Sequence, residues 1–159
     1  MNIIFYKQVG YFNLLYRSLI LKFYKKILKR KKIKFNTILN TNYNIYYWDT
    51  FGSEVFVTND FTDWGNEYFF LETLKNRPKK IFLDVGCHTG YFPCLFKNIF
   101  NRIIGFEPSG KCFESLELLK SEINNFSYHQ CFLCNENRET ISEQFTDGWS
   151  KDKNDLSGR

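Results

Sequence analysis

The stretch Ile81-Phe82-Leu83-Asp84-Val85-Gly86-Cys87-His88-Thr89-Gly90 restricts the fold more than any other part of the chain. Five strand-forming residues, apolar except for Asp84, lie between Lys79-Lys80 and a glycine, the pattern of a buried parallel strand. Gly86 to Gly90 makes the turn. From Tyr91 onward Phe92, Leu95, Phe96, Ile99 and Phe100 recur at intervals of three and four, which gathers them on one helical face. Ile103-Ile104-Gly105-Phe106-Glu107 then reads as a second buried strand, closed by Pro108. The unit is β-α-β, with an acid at the end of each strand.

Spacing restricts the chemistry as well. Gly86 and Gly90 let backbone approach a ligand and let the helix start pack closely on the strand, as in phosphate-cradling loops. Asp84, two residues ahead of the first glycine, would repel a pyrophosphate and suits a cationic amino group instead. Glu107, 23 residues after Asp84, ends the neighbouring strand, where a carboxylate can accept both hydroxyls of an unmodified ribose. An ammonium, a ribose and no phosphate describe S-adenosylmethionine. The expected cofactor site is therefore Asp84, Gly86, Cys87, His88, Thr89, Gly90 and Glu107. His88 has two readings, a ring that shields the donor or acts as general base, and a plain loop spacer. A nicotinamide oxidoreductase uses a related strand, turn and acid, but Gly86 to Gly90 lacks the G-x-G-x-x-G spacing.

Asp84 to Gly90 resembles the first motif of class I methyltransferases, and Gly105-Phe106-Glu107-Pro108 resembles their second acidic motif. FLDVGCHTGY followed by IIGFEPS is similar to the FkbM family of S-adenosylmethionine-dependent methyltransferases, over roughly Asp49 to Asp155. That resemblance implies an α/β fold: a partial Rossmann-like class I methyltransferase domain, a parallel sheet with flanking helices, which in this chain is expected to follow a β-hairpin and a basic amphipathic N-terminal helix read from the residue pattern. It implies O-methylation of a sugar, glycan or small-molecule hydroxyl, with no catalytic base assignable. By position alone it adds Asn135 or Glu136 at the adenine amine, although Asn135-Glu136-Asn137 is also good turn chemistry. Gly65-Asn66-Glu67-Tyr68 resembles the family's approach to the first strand; Glu67 either closes one side of the pocket or is a first-turn acid favoured by the helix dipole. The family's later strands have no counterpart here, so the expectation is a truncated domain, with a non-catalytic remnant that docks elsewhere as the alternative.

Charge divides the chain. Residues 1–35 hold ten of its 22 Lys and Arg and no acid, while the rest hold 12 bases against all 17 acids. Phe12, Leu15, Leu19 and Phe23 recur at helical spacing, with Lys22, Lys25, Lys26, Lys29 and Arg30 expected largely on the other side. Lys7 and Arg17 break any run long enough to span a bilayer. Two readings stand for this segment: a helix on an anionic membrane surface, and a helix whose stripe packs on the catalytic domain or a partner. Nucleic acid is not expected.

The expected organisation is a helical segment at 1–35, a linker at 36–44 and half a methyltransferase domain at 45–159. Within the last, Ile45 to Trp48 and Glu54 to Thr58 read as a hairpin turning at Gly52, Asn66 to Leu74 as a helix, and Phe126 to Cys134 as the third strand. Five cysteines, an odd number with no leader-like stretch, point to free thiols in a reducing cytosol, the inner membrane face being open to the basic segment. Cys131 and Cys134 have C-x-x-C spacing but lack a second pair, so no metal site is expected.

Overall fold

The computed structural model describes residues 10–46, 48–59 and 66–133. The chain divides into two compact units, Met1–Lys79 and Lys80–Arg159.

In the first unit, helix α1 (Tyr11–Lys26) is followed by strands β1 (Lys32–Asn36) and β2 (Asn42–Tyr46), then helices α2 (Thr50–Thr58) and α3 (Asn66–Leu74). β1 and β2 pair antiparallel from Lys32↔Tyr46 to Asn36↔Asn42. Their turn is held by Thr37 and Thr41, whose hydroxyls lie 2.7 Å apart, with Asn40 at φ 55°. Phe35, Tyr43 and Ile45 are buried with Val55 and Phe56 of α2, and the Phe35 and Phe56 rings meet edge to face at 5.8 Å. α1 adds Leu14 and Leu21 to the buried set. Arg17 donates from Nε to the Phe56 carbonyl at 2.5 Å and lays its guanidinium over both Phe35 and Phe56. Lys25 reaches Ser53 Oγ at 3.0 Å.

This hairpin is not the expected one. Its turn and the strand residues beside it occupy the stretch read as a linker, and Glu54 to Thr58, read as a strand, is helical. Asp49 is the reason: its carboxylate accepts the Gly52 N–H at 2.9 Å and caps α2, and Tyr43 OH approaches the same carboxylate at 3.4 Å. Gly52 is therefore a helical residue pressed on that cap, where a Cβ would meet Asp49 Oδ2. A buried cap and the burial of Val55 and Phe56 outweigh the β-propensity of Val55-Phe56-Val57.

The second unit carries a three-stranded parallel sheet in the order β3-β4-β5: β3 (Ile81–Val85), β4 (Arg102–Phe106) and β5 (Phe126–His129). Helix α4 (Tyr91–Phe96) joins β3 to β4. A short 3-10 turn (Gly110–Cys112) and helix α5 (Phe113–Glu122) join β4 to β5. This is an α/β, partial Rossmann-like architecture, as expected, with an antiparallel hairpin earlier in the chain. Period-two alternation puts Phe82, Asp84, Ile103, Gly105 and Phe126 on one face. There Phe82 packs edge to face on Phe96 at 5.2 Å and stacks on Phe100 at 5.3 Å. Asn125 Nδ2 donates to the carbonyls of Lys97 and Phe100 at 2.9 and 2.6 Å, supplying partners where the helical turn ends. On the other face Ile81, Leu83 and Val85 are 55%, 58% and 65% exposed, so β3 is not the strand buried on both faces that its composition suggests. α5 buries Leu116 and Leu119, with Cys112 before it and Ile123 after it also buried, but Phe113 is exposed.

Replacing Asp49 removes a buried helix cap without opening a large cavity. Asp49→Ala is expected to destabilise the chain by about 1–2 kcal/mol, read as a lower urea midpoint with unchanged slope.

Candidate functional site

The site is built where β3 and β4 end together. Asp84 is opposite Gly105 and Val85 opposite Phe106 in the ladder, so the loop after Val85 and the segment after Phe106 leave the sheet side by side. The first loop residues remain tied to β4: Gly86 and Cys87 both donate backbone N–H to the Phe106 carbonyl, at 2.8 and 3.1 Å. The loop then turns through three residues of positive φ, Gly86 at 78°, His88 at 50° and Gly90 at 85°.

Glu107 fixes the other side. One carboxylate oxygen accepts the His88 backbone N–H at 2.9 Å and the other accepts the Ser109 N–H at 2.9 Å. Its own N–H continues the ladder to the His129 carbonyl at 3.1 Å. The side chain, almost fully buried, thus clamps the glycine loop to the start of the next helical segment. This structural duty is absent from the reading of Glu107 as a ribose acceptor alone. Its signal in the sequence is the pairing of a strand-end acid with a loop whose amides have no helical partners.

The two glycines have separate tasks. At Gly90 a Cβ would run into the Leu119 side chain, so this residue is where the loop presses against α5. At Gly86 a Cβ would meet nothing within 4 Å, so its backbone faces open space. Gly105, inside β4, is a third: a Cβ there would come within 2.7 Å of Cys87 Sγ. Glycine in a strand interior signals such a close approach, and Gly105 is the residue that makes room for the Cys87 thiol.

Cys87 is consequently a core residue. Burial pushes its thiol pKa well up, reinforced by Asp84, Glu107 and Cys112 nearby, which leaves no reactive thiolate. Thr89 is buried too. Of the loop residues expected at a cofactor, Gly86 presents open backbone and His88 is half-buried, whereas Cys87 and Thr89 are turned inward.

Asp84 is the unusual group. It is half-buried on the helix-covered face, and its Oδ2 is enclosed without a hydrogen-bond donor among the described residues. Burial first, and the Glu107 charge second, push its carboxyl pKa up to about 6. Asp84 lies next to the end of β3 and Glu107 just past the end of β4, the strand paired with it. Asn135 and Glu136 lie outside the described residues, as do Gly65 and Cys134. Glu67 occupies the first turn of α3 in the first unit, where it is fully buried. No cluster of His, Cys, Asp and Glu among the described residues could hold a metal ion.

No family model matches the chain, and no curated protein matches it. Among solved structures, the crystal structure of the YcgJ protein from Bacillus subtilis aligns at 19% identity and a TM-score of 0.36, over 41% of this chain. The alignment spans 29% of that protein.

Two predictions follow from the loop. Gly90→Ala should cost about 3 kcal/mol, combining left-handed strain with overpacking against Leu119. Gly86→Ala should cost only about 1 kcal/mol of strain; thermal melts of the two variants should rank them so.

A third follows from Asp84. Its folded pKa of about 6 lies above the ordinary 3.8, so folding takes up a proton between these values and stability falls as pH rises through that window. At neutral pH the deficit is about 3 kcal/mol. Asp84→Asn should therefore raise the melting temperature at pH 7, with the gain shrinking toward pH 4.

Proposed function

We propose that the second unit binds S-adenosylmethionine at the tips of β3 and β4 and belongs to a methyltransferase of the FkbM type. The observation that carries this reading is the buried, donor-less Oδ2 of Asp84 beside a Gly86 backbone that faces open space. A carboxylate held there with its charge uncompensated favours a ligand that brings a cation or several N–H or O–H donors. The α-ammonium of S-adenosylmethionine meets that demand, and the ionised carboxylate would oppose a pyrophosphate, which disfavours a dinucleotide.

Glu107 serves twice in this reading. Its two oxygens each spend one lone pair on a backbone N–H, and a carboxylate offers about four acceptor positions. The remaining acceptor positions would take the two ribose hydroxyls. Because the clamp is made before any ligand arrives, the acceptor geometry is preorganised. Gly86 supplies close backbone approach, and the absence of a Cβ keeps the space above it clear.

The cofactor, when bound, supplies an electrophilic methyl group on a sulfonium. The protein's part in a transfer to a sugar or other hydroxyl is to fix the donor through Asp84, Gly86 and Glu107 so that an acceptor oxygen can align with it. Alignment of this kind carries a large share of the rate when no strong base is in place.

Calorimetric titration of the full chain with S-adenosylhomocysteine tests the binding part. Binding is expected at pH 7.5, weakening about tenfold per pH unit once Asp84 is protonated below about pH 6. Asp84→Asn should weaken it at least tenfold and flatten the pH dependence. A folded sample that gives no heat at any pH refutes the assignment.

A further inference from the structure

Helix α1 is apolar on two opposite sides. At about 100° per residue, Leu14 and Leu21 fall on one side, the one that is buried, with Arg17 and Lys25 beside them reaching α2. Phe12, Leu15, Tyr16, Leu19 and Phe23 fall on the opposite side, and all five are exposed, Phe12 by 83%. The stripe that sequence periodicity marks, open to a lipid-facing and to a packing reading, is therefore the exposed one. Exposed apolar side chains in contiguous series mark an interaction surface.

The charges around the stripe identify its partner. Lys22 borders it on one flank, Lys26 projects from its last turn, and Lys29, Arg30, Lys31 and Lys32 follow its C-terminal end, all exposed. No acid occurs anywhere in residues 1–35. A second copy apposed on this stripe would bring like charges together. Long lysine stems lie along apolar surface while their ammonium groups reach outward, and aromatic rings are suited to the boundary between hydrocarbon and headgroups. No helix among the described residues is long and apolar enough to cross a membrane. We infer that α1 docks the chain on an anionic lipid surface, lying flat with Phe12, Leu15, Leu19 and Phe23 in the headgroup boundary and Lys22, Lys26 and the cations of residues 29–32 among the lipid phosphates.

The surface is independent of the proposed cofactor site, and sedimentation of the full chain with vesicles tests it separately. The chain should partition onto phosphatidylglycerol-rich vesicles and about tenfold or more less onto phosphatidylcholine vesicles, with binding reduced by salt as screening shortens from about 10 Å at 0.1 M. Leu19→Asp with Phe23→Asp should lower partitioning at least about tenfold through lost apolar burial, with circular dichroism and melting unchanged because both residues are exposed. Phe12→Ser provides the same readout at the most exposed position, should the double variant misfold. Replacing Lys22, Lys26, Lys29 and Lys31 by Gln should lower partitioning roughly fivefold per charge. Equal partitioning onto both vesicles, an apolar variant that binds like the parent, or a concentration-dependent dimer dispersed by Leu19→Asp would each overturn the assignment.

Discussion

Glu107 is the point on which the candidate site depends. A carboxylate that accepts two backbone N–H groups 21 residues apart in the chain converts a glycine-rich turn into a defined surface. Charge-assisted hydrogen bonds of this type are shorter and stronger than neutral ones, and they satisfy amides that an abrupt strand-to-helix turn would otherwise leave without partners. The clamp has an electrostatic side effect. Fixing one anion at the tip of β4 raises the free energy of a second at the tip of β3, and burial first, with that neighbour second, pushes the Asp84 carboxyl pKa up to about 6.

The β-α-β unit was legible in the sequence because local and long-range signals agree there. Ile81–Val85 forms as read, and β4 begins one residue earlier than its apolar run. The glycines were legible as turn residues, but their separate tasks were not: only three dimensions show that Gly90 faces Leu119, Gly86 faces open space and Gly105 houses a thiol. Cys87 illustrates the limit. Loop position suggested a ligand contact, whereas the turn rotates its side chain under the sheet.

The first unit was read less well, for physical reasons. Val55-Phe56-Val57 has strand composition, and the polar–apolar alternation of Lys32 to Asn36, only five residues long, continues a basic run that reads as the end of the helical segment. Tertiary packing reversed both assignments: Asp49 starts a helix with a buried cap, and the hairpin forms one turn earlier with a threonine pair closing it. Arg17 was counted only as a charge that interrupts a hydrophobic run. Its guanidinium in fact packs on two phenylalanine faces, so the planar, delocalised cation serves as part of the core that joins α1 to the hairpin and α2.

β3 is hydrogen-bonded on one side only among the described residues, and Ile81, Leu83 and Val85 meet water across its outer face. β4, flanked by strands on both sides, is the stiffer rail. Asp84 and Gly86 are thus carried by the more compliant strand, and Glu107 by the more rigid one. Local opening free energy follows the number of buried contacts and shielded hydrogen bonds. The two strand tips are therefore unequal, one fixed and one that yields: a ligand held between them would tighten the sheet's softest element, and its occupancy would be written into the amide exchange of β3 well before it altered β4.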